Sequence, residues 1–91
     1  MPMNWFKVEV RTGEKGTYHY VGTADATLES LAQQMEDGQA IRLDNLLYHD
    51  RGMVKDWESW DKTLVPTVVI NAKEVVTIMR FKGDPRTLTN Q

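Results

Sequence analysis

The chain reads as a small, mainly β (α+β) domain: a strongly bent five-stranded antiparallel sheet or barrel, with one short helix at about residues 27–37 after the first hairpin. Three observations predict this. The stretch PTVVINAKEVVTIMRF, residues 66–81, holds two apolar runs rich in Val and Ile around a tight Asn71-Ala72-Lys73-Glu74 turn. Near the start, Phe6, Val8 and Val10 alternate with Trp5, Lys7, Glu9 and Arg11, the period of a half-buried strand. Only between residues 23 and 37 does the pattern change to a helical period.

Taken in order, the first strand runs over residues 5–11. Thr12, Gly13, Glu14, Lys15 and Gly16 supply a hairpin loop. Tyr18, Tyr20 and Val21 favour a returning strand. Leu28, Leu31, Ala32 and Met35 fall at i, i+3, i+4 and i+7 and predict one apolar helix face, read as core. Asp25 or Thr27 can cap its start, Glu29 suits the positive end of its dipole, and Gly38 can end it in the left-handed conformation. A third strand follows over residues 39–48, where Asn45-Leu46-Leu47 breaks the alternation and predicts a bulge or bend. Residues 49–64 read as a long irregular stretch with a turn at Gly52, or with a helical turn over residues 55–62. Residues 67–70 and 75–81 are the last two strands. Lys82-Gly83-Asp84-Pro85 reads as a turn, and residues 86–91 as a frayed tail.

The 91 residues make a single domain, 1–91, barrel-like with a polar tail from about residue 84. There are no cysteines, which excludes disulfides, thiolate catalysis and cysteine-bound zinc. The absence of such staples tilts the reading towards a cytoplasmic protein. No apolar run approaches the roughly 20 residues of a membrane span, and MPMNWFKVEV lacks the layout of a signal peptide. The formal charge of −2, from 11 basic and 13 acidic residues, gives no general electrostatic footprint for nucleic acid or anionic membrane.

No catalytic signature, metal motif or phosphate loop is present, so the expectation is a non-enzymatic protein without a cofactor. His49-Asp50 are adjacent on a strand and point to opposite faces, and His19 lies in another strand, which makes a weak metal argument. The most distinctive surface candidate is Asp56-Trp57-Glu58-Ser59-Trp60-Asp61. Trp57 and Trp60, flanked by the carboxylates of Asp56, Glu58 and Asp61, suit docking of a basic protein partner. The alternative is that one or both indoles fold back to cap the end of the sheet. Val68, Val69, Ile70, Val75, Val76 and Ile78 offer little protection against edge pairing and are the candidate interface of a homo-oligomer. Tyr18 and Tyr20 share a strand face. With Lys7, Arg42 and Lys73 they form a candidate nucleic-acid surface, disfavoured by the acidic charge balance; the same tyrosines equally serve cross-strand packing.

DGQAIRLDNLL and VVINAKEVVTI, within residues 39–81, give a hydrophobic pattern that resembles the Sm-like small β-barrels, a pattern shared by many SH3-like barrels. The resemblance implies a short turn between the fourth and fifth strands at residues 71–74, subunits paired through those strands in a ring, and RNA as a ligand. The chain departs from the family by placing its helix after a hairpin and by lacking the family's glycine and aspartate signature. The readings are therefore a self-associating protein-interaction module or, as the alternative, an RNA-binding ring.

Overall fold

The computed structural model describes residues 3–14, 16–50, 53–56 and 64–89. Strands β1 (Met3–Arg11) and β2 (Thr17–Asp25) form the first hairpin, in register from Met3↔Asp25 to Arg11↔Thr17. Helix α1 (Leu28–Glu36) follows. Thr27 caps it reciprocally: its hydroxyl accepts from the Ser30 N–H at 3.1 Å, and its own N–H donates to Ser30 Oγ at 3.0 Å. Gly38, at φ 71°, closes the other end, with Gln39 N–H bonded to Gln34 O and Gly38 N–H to Met35 O.

Strand β3 (Ile41–Asp50) then serves two neighbours along one edge. Its first half pairs with β5 (Val68–Ile70), and its second half pairs with β4 (Met53–Asp56). Strand β6 (Val75–Arg80) returns to β1, which gives the antiparallel path β4-β3-β2-β1-β6 with β5 attached at β3. A single 3₁₀ turn (Ala72–Glu74), capped by the Asn71 side chain, carries the chain from β5 to β6. Among the described residues no ladder joins β5 to β6, so the chain forms a bent sheet and does not close into a barrel.

The bend has a defined origin. Val21 pairs with Leu47 and Thr23 with Asp44, so β3 carries one residue more than β2 across this step. Asn45, at φ 52°, is the only described non-glycine residue in the left-handed region. Its amide donates to Thr23 Oγ1 at 2.9 Å, and that buried hydroxyl donates to Asp44 O. The bulge turns Leu46 into the main core and Leu47 to the opposite face. Gly22 lies beneath it. A Cβ at Gly22 would meet Asp44 O at 2.7 Å and the Leu43 and Leu46 side chains at 3.1 Å.

Phe6, Val8, Val10, Ala24, Leu31, Ile41, Leu43, Leu46 and Ile70 make the inner core. A smaller cluster on the outer face joins Val21 and Leu47 to Trp5 and Phe81. Helix α1 sits at the end of the sheet against β3, the 3₁₀ turn and β6. Only Leu31 of the predicted helix stripe is fully buried. Met35 is half-buried, while Leu28 and Ala32 stay exposed, because one turn alone reaches the core.

Two expectations are corrected. Residues 53–56 lie within the stretch read as irregular, yet they form β4, separated from β3 by two residues. The end of the chain, read as a frayed tail, forms helix α2 (Pro85–Thr89). Asp84 precedes Pro85 there, and its carboxylate accepts from the Arg86 N–H at 2.9 Å, an N-cap followed by proline at the first helical position. Pro85 is fully buried.

Gly22→Ala is expected to cost about 1–3 kcal/mol, because the backbone of β3 cannot yield to the added methyl group. Asn45→Ala is expected to cost about 1–2 kcal/mol through its left-handed backbone, and Asn45→Gly less. Urea midpoints at constant m-value check all three.

Candidate functional site

The Val-rich strands divide between core and surface. Ile70 is buried, and Val68, Val75 and Ile78 pack against the inner core. Val69 and Val76 face outward, 65% and 45% exposed. The difference follows from strand alternation in β5 and from a bulge in β6. There Thr77 pairs with Glu9 and Val75 with Val10, which leaves Val76 as the extra residue. Val69 and Val76 therefore lie on either side of the 3₁₀ turn as exposed valines, with the exposed Asn71, Lys73 and Glu74 between them in the chain. Among the described residues β5 is laddered only to β3 and β6 only to β1, so each keeps an unpaired edge. Of the six predicted interface residues, Val69 and Val76 offer exposed side chains; Ile70 contributes to a surface only through its backbone.

Tyr18 and Tyr20 do share a face, and their rings meet edge to face at 4.9 Å between centroids. Tyr20 packs on the inner core, and Tyr18 is half exposed. The predicted cations do not join them. Lys7 pairs with Val21, on the opposite face of the hairpin. Arg42 is held by Asp44 at 3.1 Å, and Lys73 sits on the 3₁₀ turn. His19 is bonded to Glu9 across the outer face at 2.7 Å. Trp57, Glu58, Trp60 and Asp61 lie outside the described residues. Asp56 ends β4, opposite Leu47.

Two features were not anticipated. Beside Tyr18 and Tyr20 an apolar groove of about 270 Å³ is lined by Leu46, Leu64, Val65 and Val68. Leu64 and Val65 are strongly exposed, and the Leu64-Val65 pair before Pro66 was the readable signal for it. The second is a cleft of about 620 Å³ on the outer side, bounded by Trp5, Thr23, Asn45, Pro66, Asp84 and Arg86. The Arg86 guanidinium stands 5.3 Å from the Trp5 ring centroid and is bonded to the Asp84 carboxylate at 2.7 Å. Asp84-Pro85 is the helix-start signal that the sequence offers for this wall of the cleft. The cleft's Asn45 amide and Thr23 hydroxyl are already bonded to one another and to Asp44 O. Among the described residues no three His, Asp or Glu side chains gather in metal-binding geometry, and no helix is long and apolar enough to cross a membrane.

No protein-family model, curated protein or solved structure matches the chain. The Sm-like resemblance thus rests on the strand pattern alone.

The Arg86 side chain, hydrogen-bonded to Asp84, holds that carboxyl below the ordinary carboxylate value, with partial desolvation opposing it. A depressed carboxyl stabilises the fold fully above its unfolded pKa and loses that contribution as the pH falls through the folded value. Asp84→Ala is therefore expected to lower stability by about 1 kcal/mol at neutral pH, chiefly by removing the helix cap. The gap to the wild type should narrow below about pH 4. Urea titrations of both proteins from pH 7 to pH 3 check this.

Proposed function

We propose that the protein is a non-enzymatic, cytoplasmic assembly module whose copies associate through the β5–turn–β6 corner. One observation carries the reading: among the described residues β5 and β6 each keep an unpaired edge, and the turn between them has the exposed Val69 and Val76 on either side. Unpaired edges are templates for another strand, and burying two valines adds apolar stabilisation at the same place. The three residues of β5 and the bulge at Val76 keep any added ladder short, so the association is concentration-dependent. Docking of a protein partner by Trp57 and Trp60, with Asp56, Glu58 and Asp61 around them, is a further part of the proposal and rests on the sequence. An RNA-binding ring, the alternative the resemblance raises, gains no support from the scattered Lys7, Arg42 and Lys73.

Absolute molar mass by light scattering, across a micromolar concentration series, tests the proposal. The expected result is a mass that rises above that of one chain and falls back with Val69→Lys or Val76→Lys. A single-chain mass throughout would reject it. A mass that rises instead with a short single-stranded RNA, and less so as salt increases, would favour the RNA-binding ring.

A further inference from the structure

Strand β6 ends at Arg80, and among the described residues its outer edge carries no ladder. Just beyond, the Phe81 N–H bonds Trp5 O at 2.9 Å, so Phe81 turns its backbone groups towards β1. Alternation along the antiparallel ladder turns those of Met79 towards β1 as well, and the N–H and C=O of Ile78 and Arg80 towards the open edge. Two donors and two acceptors thus stand there at the spacing of an extended chain. The side chains around them are apolar or cationic. Lys7, Met79, Arg80 and Phe81 line a shallow hollow of about 270 Å³, Met79 is 51% exposed, and Lys82 is exposed just past it. Among the described residues Lys7, Arg80 and Lys82 take part in no ion pair. The carboxylates closest to them in the chain, Glu9 and Asp84, are already bonded to His19 and Arg86.

We infer that this end of β6 takes an extended acidic segment of a partner protein, added to the sheet as a further strand. Backbone bonds to Ile78 and Arg80 hold the segment, and its carboxylates meet Arg80, Lys82 and Lys7. Its apolar side chains cover Met79. Nucleic acid is a poorer match, because a phosphate backbone offers acceptors and no donor for the C=O groups of Ile78 and Arg80. A second copy's β6 is a poorer match at this end, because it brings the same cations to the edge. The site lies at the other end of β6 from Val76, so it stands whether or not the chain self-associates.

Fluorescence anisotropy tests this with a labelled peptide in which Glu and Val alternate, and with its Lys-for-Glu counterpart. The acidic peptide should bind, more weakly as salt rises, and the basic one should not. Arg80→Glu should weaken the acidic peptide by about five- to tenfold. Lys82→Glu, beyond the end of the strand, should act in the same direction and gives a second reading if the first variant folds poorly. Amide hydrogen exchange of the unmodified protein, followed by NMR, separates strand addition from attraction by charge. Saturating acidic peptide should slow the Ile78 and Arg80 amides and leave Val8, inside the sheet, unchanged. No binding of the acidic peptide at millimolar concentration, equal binding of the basic one, or binding that leaves the Ile78 and Arg80 amides unprotected would overturn the inference. So would tighter binding of a short single-stranded RNA at the same residues.

Discussion

The close crossing of β3 over Gly22 is the constraint on which the rest of the structure depends. A backbone oxygen of β3 stands where any other residue at position 22 would place its Cβ. Asn45 supplies the extra residue that permits this approach, and its amide, through Thr23, ties the bulge back to β2. Because β3 bends there, its two halves take different partners, β5 before the bend and β4 after it. The same bend sends Leu46 and Leu47 to opposite faces, so adjacent leucines found two separate cores.

Those cores are unequal. The inner one gathers side chains from β1, β2, β3 and β5 and is sealed at the end of the sheet by Leu31 of α1. The outer one is small and needs the end of the chain to complete it. Trp5 occupies a position that alternation assigns to the solvent face, yet it packs with Phe81 and lies under Arg86. A large aromatic on that face is stabilised by burial once a covering segment is present. Polar groups on the same face answer to each other, His19 to Glu9 and Arg42 to Asp44.

Much of the fold was legible because its strands alternate cleanly. β1, β6 and the helix limits at Thr27 and Gly38 follow from period and capping chemistry, and the broken alternation at Asn45-Leu46-Leu47 marked the bulge. What was not legible was too short to show a period. β4, Met-Val-Lys-Asp, has a single β-branched residue, and its strand state comes from its neighbour β3. α2 spans barely more than one turn, so only Asp84-Pro85 could reveal it. The exposure of Leu28 and Ala32 could not be read either, because it depends on how α1 meets the sheet and not on its own stripe. The Val-rich strands were recognised as strands, but which valines face outward depends on the bulge at Val76, a product of pairing with β1.

β1 lies between β2 and β6 and bonds to both. Val8 is opposite Tyr20 on one side and Ile78 on the other, so one neighbour is close in sequence and the other is at the opposite end of the chain. During synthesis the second partner leaves the ribosome roughly 4–14 s after the first strand, at the usual rate of 5–20 residues per second. Through that interval β1, which the finished sheet bonds on both sides, has one edge open. Completion of the sheet is therefore a late, non-local event, and until then the edge of β1 away from the first hairpin stays open.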